Sequence, residues 1–273
     1  MIGIFDSGLG GLTILKAFIE KLPEYDYMYL GDNARSPYGN KSQDLIYQYA
    51  KEAIDFLFKR DCQLVVLACN TASAKALRKL QQERLPKNYP DRRVLGVVIP
   101  AVQAVAEIIK KNPRKNKLGI IGTRSTIESG VYEKELAKTG LKIEIFKQAC
   151  PLLVPLIEEG WTKRPETKMI LRYYLRGLKK ARINNLILAC THYPILLKQI
   201  ENIMGPQCRV LDSPRFTAEK LADYLKRHPE IETKLSKNKT RLFYTTDKAA
   251  MFKELGQRFL DSEIGEVEKA KLE

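Results

Sequence analysis

Histidine is scarce in this chain: His192 and His228 are the only two among 273 residues, and the five cysteines include no CxxC pair. That set lacks the ligand spacing of a zinc site. An odd cysteine count without regular spacing also rules out a disulfide framework, and unpaired cysteines fit a reducing cytoplasm. No stretch approaches the roughly 18 consecutive apolar residues a membrane span needs. Met1-Ile2-Gly3-Ile4-Phe5 enters an apolar run without a basic leader or cleavage site, so no secretory signal is expected and the cytoplasm is the expected location. Acidic residues are in short supply, 32 against 47 basic ones, for a net charge of +15. Such a surplus can mark nucleic-acid binding. Here, however, the cations (Lys75, Arg78, Lys79; Lys110, Lys111, Arg114; Arg176, Lys179, Lys180, Arg182) interleave with apolar positions at helical spacing, as solvated faces do. No recognition-helix, RNA-platform or zinc-finger motif accompanies them, so specific nucleic-acid binding is not expected, whereas a general attraction for anionic substrates is.

What is present is a pair of segments that say nearly the same thing. Leu64-Val65-Val66-Leu67-Ala68-Cys69-Asn70-Thr71 and Leu186-Ile187-Leu188-Ala189-Cys190-Thr191-His192 each run an apolar strand into a cysteine followed by polar side chains. A short apolar run of this kind reads as a buried parallel strand with the cysteine at its carboxyl end. That edge of an open α/β sheet is where ligands bind. A single such cysteine would read as core filler, since free cysteine is among the most buried residue types; Cys62, Cys150 and Cys208 lack the polar sequel and keep that reading.

Strand and helix patterns alternate along the chain, which predicts a parallel α/β fold. Strands are expected at 2–5, 27–30, 64–67, 94–98, 118–121 and 142–146. Helices are expected at 12–22, from a Ser42 cap through Leu57, at 72–84 ending before Pro86, and from Pro100 to Ile109. A further helix follows the polar turn Gly122-Thr123-Arg124-Ser125 and ends near Gly140, followed by others at 152–158 and 166–181. Trp161 reads as packing. The pattern restarts part-way: Gly3-Ile4-Phe5-Asp6-Ser7 corresponds to Gly119-Ile120-Ile121-Gly122-Thr123 at an offset of 116, and Cys69 to Cys190 at an offset of 121. Two homologous lobes facing each other across a cleft are therefore expected, and 263–273 reads as a charged, frayed tail.

The turn Asp6-Ser7-Gly8-Leu9-Gly10-Gly11 follows a strand and opens a helix, where backbone amides can hold an anion. It lacks both the dinucleotide fingerprint and the P-loop lysine, and it reads equally as a cap with a tight turn. Asp6 and Ser7 suit the ammonium and carboxylate of an amino acid; Thr71 and Thr191, each just past a cysteine, are similarly placed for a carboxylate.

These residues together carry a family resemblance. Phe5-Asp6-Ser7-Gly8-Leu9-Gly10-Gly11, Gly31-Asp32-Asn33-Ala34-Arg35-Ser36-Pro37-Tyr38-Gly39, Ala68-Cys69-Asn70-Thr71-Ala72, Val154-Pro155-Leu156-Ile157-Glu158 and Cys190-Thr191-His192-Tyr193-Pro194 resemble the glutamate racemases, in that family's order and spacing. Ser36 departs from the bulkier residue many members carry. Aspartate racemases share the superfamily, but the first two motifs and Cys-Thr-His are more similar to the glutamate enzymes. The resemblance implies a cofactor-independent racemase that acts on a small molecule, L- or D-glutamate, and supplies D-glutamate for peptidoglycan. It implies two pseudo-symmetric α/β lobes, 1–97 with 212–262 and 98–211, with the active site in the cleft between them. Substrate contacts would fall on Asp6, Ser7, Tyr38, Gly39, Asn70, Thr71, Thr191 and His192. The catalytic groups would be Cys69 and Cys190, assisted by Asp6, Glu158 and His192. By sequence alone His192 reads equally as a core or capping histidine, and Glu158 is indistinguishable from Glu159. A homodimer is compatible with the sequence, which does not itself set the oligomeric state.

The chemistry follows from the substrate. An amino acid's α-hydrogen is weakly acidic, and no pyridoxal lysine is evident, so a base and a proton donor must stand on opposite faces of the carbon. A thiol, titrating at about 8.5 when free, needs help to serve as the base. A cysteine hydrolase would leave one of the two thiols idle, and a pure binding module would need neither.

Overall fold

The computed structural model describes residues 1–114 and 116–272. Among the described residues, ten strands form two sheets, parallel throughout. They are β1 (Ile2–Asp6), β2 (Tyr27–Gly31), β3 (Leu64–Leu67), β4 (Arg93–Gly96), β5 (Lys117–Gly122), β6 (Glu144–Ala149), β7 (Asn185–Ala189), β8 (Arg209–Leu211), β9 (Arg241–Thr245) and β10 (Val267–Lys269). The first sheet runs β10-β9-β2-β1-β3-β4 and the second β6-β5-β7-β8. The second thus repeats the order of the first sheet's β2-β1-β3-β4 part. The register repeats too: Gly3 pairs with Val65 in one sheet and Gly119 with Leu186 in the other. This is the repeat seen in the sequence, now as hydrogen-bonded ladders.

Every residue of β1, β2, β3 and β7 is buried, because helices cover both faces of these central strands. Alternation along each strand divides the core. Ile2, Ile4, Tyr27 and Tyr29 of the first sheet share one cluster with Leu186 and Leu188 of the second, and with Leu12, Leu15 and Phe18. Phe5, Met28, Val65 and Leu67 face the helix Gln43–Lys59 in another cluster, and Leu118, Ile120 and Ile187 face the helix Val98–Lys111 in a third. The chain leaves the first sheet after Gly96 and rejoins it at Arg241. The helices at the two crossings, Val98–Lys111 and Ser213–Arg227, pack on each other. We propose to divide the lobes at these crossings, near Val98 and Leu211. Among the described residues, no helix is long and apolar enough to cross a membrane.

Several elements differ from expectation. The helix expected at 72–84 starts at Asn70, breaks at Ala76, widens into a π-helical stretch at Leu80–Arg84, and continues as Leu85–Asn88. Pro86 does not stop it, because it stands in the first turn of that last piece, where its missing N–H has no partner to lose. The helix expected to reach Gly140 is two helices, Arg124–Glu128 and Val131–Ala137, separated at Gly130, whose φ of 63° turns the chain. Trp161 is exposed rather than packed. The expected tail is not free: β10 pairs with β9, while Ile264 and Ala270 are buried. Its two charges, Glu268 and Lys269, are exposed on a short edge strand, a common protection against edge-to-edge pairing. Glu273 lies outside the described residues.

Candidate active site

The carboxyl ends of β1, β3, β5 and β7 meet where the two sheets face each other. Ser7, Cys69, Asn70 and Thr71 come from the first sheet and Thr123, Cys190, Thr191 and His192 from the second. With Tyr38 and Gly39 they line one small, partly open cavity of about 30 Å³. That exceeds the roughly 10–15 Å³ that one water needs. Both thiols are nearly sealed, with 5% of Cys69 and 6% of Cys190 exposed.

Asp6 and Glu158 do not line the cavity; each stands one layer behind it. The Asp6 carboxylate is fully buried, accepts the Gly8 amide at 3.0 Å and the Thr191 hydroxyl at 3.2 Å, and so bridges the two sheets. Burial lifts its carboxyl above the ordinary range, against the opposing pull of His192, the Gly8 and Gly11 amides and Thr191. Glu158 Oε1 lies 3.0 Å from His192 Nε2, and His192 Nδ1 lies 3.9 Å from Cys190 Sγ. Burial alone would lower the imidazole's pKa; its contacts with Cys190 and Glu158 outweigh that and raise it to about 10. Cys69 donates toward Ser7 Oγ at 3.4 Å. Its thiol is pushed up to about 12, first by burial and then by the Asp6 charge, despite the opposing Ser7 and Ala72 hydrogen bonds.

Glycines let the sheets close this tightly. A Cβ on Gly10 would sit 2.3 Å from Thr191 Oγ1 and 2.4 Å from His192 Nδ1, and one on Gly39 would sit 2.8 Å from Thr123 Cβ. Tyr38 is buried, with its hydroxyl on Asp32. Thr13 Oγ1 donates to Thr191 O at 3.0 Å, a second tie between the sheets.

The whole family, given by the description Asp/Glu/Hydantoin racemase, matches residues 12–221. The glutamate racemase of Geobacter metallireducens is 41% identical over 272 residues, covering 100% of this chain and 97% of that protein. The glutamate racemase of Aquifex aeolicus is 41% identical over 263 residues, covering 96% and 95%. This chain belongs to the glutamate racemase family. Among solved structures, the glutamate racemase of Francisella tularensis in complex with D-glutamate superposes with a TM-score of 0.87 at 33% identity, covering 100% of this chain and 97% of that one. The aspartate racemase of Picrophilus torridus, at 18% identity and a TM-score of 0.54, shares the fold alone.

Several residues at the site escape the sequence reading. Tyr132 donates to Asn70 Oδ1 at 2.6 Å, and Thr71, Thr123 and Thr126 form a hydroxyl cluster with separations of 3.0–3.1 Å. Phe259 packs edge-to-face on His192 with ring centroids 5.4 Å apart. The repeat could have flagged Thr123, which holds in the second half the place of Ser7 in the first. Nothing in the sequence points to Tyr132 or Phe259, whose contacts exist only once distant elements pack.

Proposed function

We propose that this protein interconverts L- and D-glutamate without a cofactor, and that Cys69 and Cys190 are its two acid/base groups. The observation that carries this reading is the placement of two buried thiols at matching strand ends of opposite sheets, lining one small cavity. A carbon held between them presents one face to each sulfur. Cys190, whose sulfur lies 3.9 Å from His192 Nδ1, is the base in the L-to-D direction. It takes the α-proton of L-glutamate, leaving the electron pair delocalised into the α-carboxylate. Cys69, held as a thiol, then delivers its own proton to the opposite face. In the reverse direction Cys69 is the base and Cys190 the donor.

Around the thiols, Ser7, Asn70, Thr71 and Thr191 supply hydroxyl and amide groups for the substrate's carboxylates and ammonium, and Tyr38 and Gly39 wall the cavity. Asp6 and Glu158 act from behind: Asp6 through Thr191 and its charge on Cys69, Glu158 by holding His192. D-glutamate made this way serves peptidoglycan synthesis in the cytoplasm.

The Cys190–His192–Glu158 row also has the connectivity of a nucleophile, a base and an orienting carboxylate. A hydrolase using it would need no second thiol, so the fate of a Cys69→Ala variant separates the two readings. The direct test is circular dichroism of L-glutamate and L-aspartate incubated with the pure protein and a chelator, with no cofactor added. Loss of the L-glutamate signal to zero supports the reading. Activity that vanishes in chelator and returns only with metal overturns it.

A further inference from the structure

The helix Pro165–Lys180 carries five cations at four-residue intervals: Arg164 at its cap, then Lys168, Arg172, Arg176 and Lys180. At 1.5 Å per residue each step rises about 6 Å, so the row extends for about 24 Å along one ridge. The opposite face of the helix, with Leu171, Tyr174, Leu175 and Leu178, is buried against the second sheet. The row forms one wall of a groove of about 1120 Å³, and the helix Leu197–Met204 supplies the other with uncharged Gln199 and Asn202. No acidic side chain lines this groove, and none of the five cations forms an ion pair among the described residues. Like charges four apart destabilise a helix, so inside the fold the row is a cost without a return. Two exposed aromatic rings stand beside the row, outside the groove's lining: Trp161 carries the Arg164 guanidinium 5.4 Å from its ring centre, and Tyr173, 69% exposed, carries that of Arg176 at 6.0 Å.

From this juxtaposition we infer that the groove binds single-stranded nucleic acid, an activity separate from racemisation. Charge complementarity demands an anion, and a second copy docked symmetrically would set one basic row against another. The row is also regular and lies in a concave channel between two helices, which admits a flexible chain with charges at short, even intervals and excludes a flat bilayer. A cationic track flanked by exposed aromatic rings is the arrangement on which unpaired bases stack while their phosphates are neutralised. Where the sequence suggests only solvated faces, the fold collects the cations into one track.

The test uses the intact protein and a fluorescein-labelled 20-nucleotide oligo(U), read by anisotropy from 50 to 200 mM salt. The triple variant Lys168→Glu, Arg172→Glu, Arg176→Glu is compared with Lys110→Glu, Lys111→Glu, Arg114→Glu, which makes the same change of net charge elsewhere. Unchanged circular dichroism and racemase rates show that both variants are folded. The expected result is at least tenfold weaker binding for the first variant only, with a log–log salt slope shallower by about 2, from about 0.7 per phosphate contact on a single strand. Tyr173→Ala should weaken binding severalfold with the slope unchanged, since stacking releases no counterions. Absence of binding by the wild type at 100 mM salt overturns the proposal, as does equal weakening by both triple variants, which would make it an effect of net charge. Anionic phospholipid vesicles or inorganic polyphosphate that outcompete the oligonucleotide at equal phosphate concentration would also overturn it, by assigning the row to another polyanion.

Discussion

Cys69 and Cys190 occupy the same ladder position in two sheets of the same strand order, yet their neighbours differ in charge. Behind Cys69 stands the Asp6 carboxyl, and burial together with that charge keeps the sulfur protonated. Behind Cys190 stands His192, with its pKa raised to about 10 and braced by Glu158. Counting from the matched strands, Asp6 corresponds to Gly122 and His192 to Thr71, so neither assisting group has a counterpart in the other half. A duplicated scaffold thus supplies two equivalent sulfurs, and unrelated side chains give them unequal surroundings. In the proposed mechanism each sulfur is the base for one enantiomer and the donor for the other, so the inequality bears on the two directions differently. Enantiomers have equal free energy in solution, so kcat/KM must be the same in both directions whatever the residues do. The asymmetry can appear only in kcat and KM moving together.

The largest effect comes from removing either sulfur. Cys69→Ala and Cys190→Ala should each lower racemisation by at least about 10³-fold, within the span of acid–base contributions, since one leaves no donor and the other no base. Labelling sharpens the comparison in the intact enzyme. When L-glutamate is the substrate in deuterium oxide, early label should enter the D product while the remaining L substrate stays unlabelled, as measured by NMR of the α-proton. Label returning equally to both isomers would mean a single base and would end the two-sulfur reading.

Next come the unequal partners. Asp6→Asn and His192→Asn should each lower kcat about 10²-fold. The His192 variant should lower kcat more from L-glutamate, where Cys190 is the base, and Asp6→Asn more from D-glutamate, with KM compensating in each case. Equal changes of kcat in both directions would show that the two dressings are interchangeable. The imidazole can be watched directly: His192 should stay protonated at pH 8 by NMR and titrate lower in Cys190→Ala, because the thiol is one of the two groups holding its proton.

A smaller effect tests how the halves are pressed together. Gly10→Ala places a methyl on Thr191 and His192. It should cost about 1–3 kcal/mol, as overpacking does, seen as a Tm lower by several degrees with a loss of kcat. At the matching place in the second half Thr126 stands instead, within a hydroxyl cluster at 3.1 Å from Thr71. Thr126→Ala removes a contact instead of forcing one and should leave the unfolding free energy within about 1–2 kcal/mol of wild type.

What the sequence discloses here is what lies at strand ends. The two cysteines, Asp6, Ser7, Asn70, Thr71 and Thr191 all sit at or just past a buried apolar run, so strand geometry alone brings them to one edge. The repeat offset carried through to the ladder register. The sequence is silent where a contact depends on how one element packs on another. Glu158 and Glu159 differ only once the helix Leu153–Glu158 aims one of them at His192. Tyr132 and Phe259 reach the site from helices whose sequences advertise only an apolar stripe. β10 hides because a short edge strand studded with charge looks like a tail until β9 is beside it. The basic row is legible as a count of cations, but as a track only when the helix is wound and its neighbour set against it.

The last and smallest effect separates Cys69 by its proton. In the folded protein its thiol is pushed from 9.0 up to about 12, chiefly by burial and then by Asp6. Between those two pH values the unfolded chain has lost this proton and the folded chain still holds it. The group therefore contributes stability that is fully present below about pH 9 and is lost as pH rises toward 12, with a slope no steeper than about 1.4 kcal/mol per pH unit for one proton. Other buried thiols, Cys62 at about 12 and Cys208 at about 11, add to the alkaline loss in the same direction, so wild type alone does not isolate Cys69. The difference between wild type and Cys69→Ala does, in urea unfolding repeated from pH 8 to 10.5. That difference should be constant up to about pH 9 and then shift steadily in favour of the variant, which has no thiol to ionise. Asp6→Asn should reduce the shift by removing the charge that helps hold the proton on the sulfur. A wild-type–variant difference that stays flat to pH 10.5 would mean that Cys69 ionises as easily folded as unfolded, and the contrast between the two halves would lose its electrostatic basis.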